Sequence, residues 1–253
     1  FVESLTVTVP ELFNERLVRH DNHQVNYTKG GGGMPTPIPK NVLKLIEIYQ
    51  KAQETLIKTI AEKEAKGSVS EYQKSLLRQV NEQLATLDKQ AYEWANEVIP
   101  EHYKEGIEAT NTALADMGIN IPDAEAFSQL HKKAVDLLAR NAYDDLSDAN
   151  AFVGRLIKDN VRKAGIDAVS QKLATGATVK ECKRNLIQSM IEQGISGIRD
   201  KRGRLISLNA YAETVARSTT REATNKATLN QLTSYGYDLV KMSSHATTCP
   251  ICA

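Results

Sequence analysis

Residues 68–98 read SVSEYQKSLLRQVNEQLATLDKQAYEWANEV. Tyr72, Leu76, Val80, Leu84, Leu87, Ala91, Trp94 and Val98 recur at steps of three and four, the period at which side chains fall on one face of a helix. Ser68 and Glu71 stand three apart at the head of the run, where a hydroxyl and a carboxylate can each take up one of the other's free backbone donors. The stretch predicts a long helix with a defined start, broken or kinked at Pro100.

Outward from it the same period continues. Upstream, Val42, Leu45, Ile46, Tyr49, Ala52, Leu56 and Ile60 make one stripe, with Pro37 and Pro39 tolerated in its first turn. Downstream, Tyr103, Ile107, Leu114 and Met117 precede Gly118. Asp123 is placed to cap a further helix with Phe127, Leu130, Ala134, Leu137 and Leu138 inward. Phe152, Leu156, Val161, Val169 and Leu173 predict another, interrupted at Gly165. Thr178 and Glu181 form a second capping box, followed by Val179, Cys182, Leu186 and Met190, with Cys182 read as core filler. Then the texture changes. Ile195–Arg199 and Arg204–Ser207 flank Asp200-Lys201-Arg202-Gly203, a reversal signal that predicts a β-hairpin. Ser207 can cap a long last helix from Leu208 to about Tyr235, closed by Gly236, and Tyr237–Met242 reads as a third strand. The expected fold is mainly α: an elongated multi-helix body with a small C-terminal α+β element of β-hairpin, long helix and strand.

Composition agrees with that class. The chain has 253 residues, 41% hydrophobic and 25% charged with a net charge of +1, so it can bury a core and is not of disordered type. No apolar run approaches the roughly 20 residues of a membrane helix. Three cysteines make no disulfide framework, which points to a reducing compartment. Gly30–Gly33, followed at once by Met34, read as a flexible joint ahead of the body. The segment before it alternates Leu5, Val7 and Val9 with Thr6 and Thr8, and residues 1–29 are taken as a partner-like peptide tethered so that it docks on the body. The expected organisation is 1–29 as that peptide, 30–33 as linker, 34–194 as a helical domain and 195–253 as a shortened α+β subdomain.

Charge is uneven. Residues 40–150 hold 13 basic and 19 acidic side chains, a net of −6, and residues 155–226 hold 15 basic and 7 acidic, a net of +8. The basic half suits DNA phosphates or an acidic protein surface, or the two halves neutralise each other in an assembly. On the last predicted helix Glu213, Arg217, Arg221 and Asn225 recur every four residues, one polar stripe available for contact with a partner or a phosphate, or a solvated face. Strong apolar positions are scarce between Arg217 and Lys226, so this helix needs small-residue packing or polar contacts to hold it.

Near the end, His245, Cys249 and Cys252 place a histidine four residues ahead of a C-x-x-C. Two thiolates and an imidazole can hold zinc, a structural site normally takes four ligands, and redox chemistry or a partial site are the other readings. No hydrolase triad, glycine-rich phosphate loop or metalloprotease motif is present, and no feature calls for an enzyme.

The run Asp200–Glu213, continued by Val215–Ala223, then by Gly236–Val240, Ser243–His245 and Cys249–Cys252, resembles the phage minor capsid family related to Mu F-type head-morphogenesis proteins. Ser218 stands where that family commonly has Thr, and the family continues past the C-x-x-C with further Cys and His, so the resemblance implies zinc only for a longer C-terminal region. It implies a structural minor head protein of a tailed bacteriophage, acting in capsid or portal assembly or in DNA delivery. The implied partners are portal or other head proteins and packaged DNA. The implied location is the virion, after a stage in the host cytoplasm, with no catalysis and no obligatory cofactor. Carriers of toxin or ADP-ribosyltransferase-related domains are a second class implied by the same resemblance, and a DNA-binding module a third. The nicotinamide chemistry of the second class needs a catalytic glutamate pair that the C-terminal hairpin region lacks.

Overall fold

A computed structural model describes residues 39–119, 129–175, 179–193, 198–199 and 205–237, with side chains left undescribed at 171–175, 190–193, 198–199 and 205. Among the described residues five helices carry the fold: α1 Lys40–Glu62, α2 Val69–Asp116, α3 Gln129–Thr175, α4 Val179–Gln193 and α5 Leu208–Ser234. The expected C-terminal α+β element is not supported. Two two-residue strands, β1 Ile198–Arg199 and β2 Leu205–Ile206, meet antiparallel with Ile198 opposite Ile206. Two residue pairs bury too little to count as a sheet layer, and the protein is mainly helical. The third strand expected over Tyr237–Met242 falls outside the described residues after Tyr237.

Helix ends follow the local rules. The Ser68 N–H and hydroxyl both donate to Glu71 Oε2 (2.8 and 2.9 Å), and the Glu71 N–H returns a bond to Ser68 Oγ at 3.3 Å. These bonds hold the Glu71 carboxyl below its usual range. Gly118 (φ 74°) and Gly236 (φ 83°) take the left-handed conformation that closes α2 and α5. In both cases two reversed bonds finish the helix: Gly118 N to Ala115 O and Ile119 N to Leu114 O, Gly236 N to Thr233 O and Tyr237 N to Leu232 O. The cap expected at Asp123 and the Thr178 end of the second capping box lie outside the described residues.

Three features depart from the sequence expectation. Pro100 lies inside an unbroken α2. Asn96, whose carbonyl loses its donor there, is exposed, so water can take the place of the missing bond. Gly165 interrupts nothing, because α3 is continuous. A Cβ at Gly165 would strike the Gln73 amide, which donates to Val161 O at 2.5 Å, so the glycine answers a close approach. The face of α3 is also rotated from the one expected. Leu138 and Val161 are buried as expected, but Leu130, Leu137, Phe152 and Val169 are exposed, and the covered arc runs instead through Val135, Ala142, Leu146, Ala149, Val153, Ile157, Ala164 and Ala168.

The described chain divides into two compact units, one within residues 39–97 and 140–218, the other within 98–139 and 219–237. The first has a large-residue core: Trp94, Tyr49, Tyr72, Leu45, Leu56, Leu76, Leu87 and Leu146 are almost wholly buried. The Trp94 indole N–H donates to Asn41 O at 2.8 Å, which satisfies the one polar atom of the largest core side chain. Cys182 is buried as expected, and burial pushes its thiol up. The second unit is built otherwise. A Cβ on Gly106 would lie 2.6 Å from Thr224 O and 2.8 Å from the Ala227 Cβ, so two backbones approach closely there. Hydroxyls link across that approach: Thr110 Oγ1 to Thr228 Oγ1 at 3.1 Å and Thr224 Oγ1 to His102 O at 3.3 Å. Small residues and polar contacts do hold this part of α5.

Candidate functional site

The candidate stripe begins where α5 begins. Ser207 precedes the helix, its Oγ accepting from the Ala210 N–H at 3.4 Å and donating to Asn209 Oδ1 at 2.5 Å. In the first unit, Glu213 and Arg217 form an ion pair at 2.7 Å with both side chains partly exposed. In the second unit, Arg221 and Asn225 are exposed and make no hydrogen bond or ion pair among the described residues. The structure thus joins Glu213 to Arg217 and leaves Arg221 and Asn225 presented to solvent. His245, Cys249 and Cys252 lie outside the described residues, so their ligand set is without geometry here. Among the described residues no three His, Cys, Asp or Glu side chains gather as a metal site.

Two polar clusters, the first part-buried and the second buried, were not foreseen from the sequence. In the first unit, Asp88 accepts from Tyr143 OH at 2.7 Å and from Asn150 Nδ2 at 3.4 Å, and the Tyr92 and Tyr143 rings meet edge to face at 5.3 Å. The neighbouring phenols are held protonated. Burial, with Asp88 and Tyr211 adding to it, raises Tyr49 far above the usual range, and burial, with Asp145 and Asp148, raises Tyr211. In the second unit, Asn230 Nδ2 donates to Tyr103 OH at 2.7 Å, and Tyr103 OH lies 2.9 Å from His131 Nδ1. While the amide donates to it, the Tyr103 hydroxyl can give its own proton to Nδ1 of a neutral His131. Burial lowers the His131 pKa, in keeping with that state. Both clusters join residues 28 to 127 apart in sequence, beyond the reach of any local pattern.

None of these shifts prepares a nucleophile. A catalytic tyrosine or cysteine needs its pKa lowered, whereas Tyr49, Tyr72, Tyr103, Tyr143, Tyr211 and Cys182 are all pushed up. A groove of about 960 Å³ lies in the first unit, lined by residues of α1, α2 and the turn between them that include Lys58, Glu62, Lys63, Glu71 and Glu82. Side-chain bonds cross its floor, Lys63 to Gln79 at 3.0 Å and Gln83 to Thr59 at 2.5 Å.

Among the described residues the helices present polar stripes and assemble no reactive centre. A family model described as phage minor capsid protein 2 matches residues 35–253. The chain belongs to that family. No characterised protein and no solved structure matches it. The match begins just after the glycine run and covers both described units. As a phage minor capsid protein 2 the chain is a structural head protein of the virion, of a family that is structural rather than enzymatic, and phage head proteins are its class of partner. No helix among the described residues is long and apolar enough to cross a membrane.

Proposed function

We propose that this minor capsid protein is a docking component of the portal vertex, assembled into the head in the host cytoplasm. On this reading Arg221 and Asn225, with the Glu213–Arg217 pair, contact the portal or another head protein. The observation that carries the reading is the presentation of Arg221 and Asn225 to solvent, without internal partners among the described residues, in a chain of the minor capsid family. An exposed guanidinium and amide give direction and specificity to a protein contact more than they give stability. The net +8 over residues 155–226 supports a further contact with packaged DNA. Docking of this kind needs no cofactor, and a zinc ion on His245, Cys249 and Cys252 would be structural. Residues 1–29 fit the same reading as a partner-derived peptide ahead of the glycine run.

The test is complementation of a phage lacking this gene. Wild-type chain should be recovered in purified particles and cross-link to portal subunits. The double substitution Arg221→Glu with Asn225→Glu should keep the helical circular dichroism and lower the copies per particle by at least about tenfold, the effect of setting like charges against each other at an interface. Normal incorporation of the double variant would overturn the assignment of the stripe, and particles that assemble and deliver DNA normally without the chain would overturn the role.

A further inference from the structure

Within the first unit, α3 exposes Asp144, Asp148, Ala151, Arg155, Lys158 and Arg162. Their spacing alternates four and three, which lays all six along one helix face at the repeat of a coiled-coil seam. Charge along this seam is sorted: two acids, one small residue, then three bases. Sorting of this kind is unfavourable for the helix alone, because like charges three and four residues apart repel. Beside the seam, Asp145 shows the crowding, its carboxyl raised by burial and then by Asp148 and Asp144. Among the described residues no ion pair neutralises Asp144, Asp148, Arg155, Lys158 or Arg162. The same face continues through Ile166 and Val169, which are 60% and 49% exposed.

We propose that this seam pairs two copies of the chain, α3 against α3, antiparallel about a two-fold axis. With the axis at the level of Val153, helical spacing sets Asp144 opposite Arg162, Asp148 opposite Lys158 and Ala151 opposite Arg155, and symmetry repeats each pair. Every acid then meets a base, and the small Ala151 leaves room for the Arg155 stem to lie across the partner helix. The occupant is a second copy because the charge order is complementary to its own reversal, the property an isologous interface requires. A partner that was simply acidic would match Arg155, Lys158 and Arg162 and be repelled by Asp144 and Asp148. The contact is one helix pair, so it belongs to the smaller class of interfaces and forms reversibly with concentration.

Sedimentation of the full chain over a concentration series tests this. Wild type should shift from monomer to dimer. Asp144→Lys with Asp148→Lys makes the whole seam basic, and Arg155→Glu, Lys158→Glu and Arg162→Glu make it acidic. Each variant alone should dimerise about 100-fold more weakly, since every facing acid–base pair becomes like-charged. An equimolar mixture of the two should form the heterodimer, and one chain carrying all five exchanges should dimerise again. Unchanged circular dichroism and melting show that each variant folds. A chain that stays monomeric throughout, a dimer indifferent to both variants, or a mixture that fails to pair overturns the proposal. So does a monomeric wild type that binds a short DNA duplex and loses it on the Glu substitutions, which would give the face to nucleic acid.

Discussion

The two units of this head protein solve the same packing problem with different materials. The first buries Trp94, Tyr49, Tyr72 and a set of leucines, so its stability comes from apolar area removed from water. The second has fewer large side chains and draws its helices together through Gly106, Ala223 and Ala227, with Thr110, Thr228, Asn230 and Tyr103 bonded across the approach. Apolar burial is non-directional and tolerates small shifts, whereas hydrogen bonds inside a closely approached helix pair depend on position. The first unit should therefore fail when volume is removed, and the second when volume is added or a proton is gained.

The largest effect is expected from Trp94→Ala, which empties the biggest site of the first core and removes the indole bond to Asn41 O. A loss of about 3–5 kcal/mol in chemical denaturation is expected. A loss below about 1 kcal/mol would show that the first unit is not held by apolar volume.

Next comes a pair of glycines. In an ordinary helix interior Gly→Ala gains up to about 1 kcal/mol. Gly106→Ala should reverse that sign and cost about 1–3 kcal/mol, because the added methyl meets backbone at Thr224 O. Gly154→Ala meets only Leu84 Cδ1 at 3.0 Å, the end of a side chain that can turn, and should be close to neutral. Equal responses at the two positions, read by thermal melting, would erase the distinction between the units.

The smallest effect is a pH slope. His131 has a folded pKa below its free value, so the unfolded chain takes the proton first and stability rises with pH between the two values. The full contribution of the buried neutral His131 ring is present above the free histidine value of about 6.5 and is lost progressively as pH falls below it. Melting curves between neutral and mildly acidic pH should show the slope, and His131→Asn should flatten it. An unchanged slope in that variant would move the acid sensitivity elsewhere.

Much of the helical outline is legible in the sequence because its signals are local. The capping box at Ser68 and Glu71, the glycine closures at 118 and 236 and the stripe from Tyr72 to Val98 each depend on residues within a turn or two. The rotation of α3 was not legible. Its buried face is rich in Ala139, Ala142, Ala149, Ala164 and Ala168, which carry a weak hydrophobic signal but let neighbouring backbones come close. Leu130 and Leu137 carry the strong signal and are left outside. The C-terminal hairpin pattern was likewise over-read, since alternation can nominate a strand but only pairing partners extend one beyond two residues.

On its own, then, the sequence determined that the chain is mainly helical, where α2 and α5 start and stop, and that the last helix needs polar contacts to hold it. These follow from hydrogen bonding and side-chain period within a few residues of each position. Only the tertiary structure decided which arc of α3 is covered, that Tyr103, His131 and Asn230 meet, and that Asp144, Asp148, Arg155, Lys158 and Arg162 share an open seam. Burial is a relation between distant segments, and no local pattern states which of two apolar arcs a neighbour will cover.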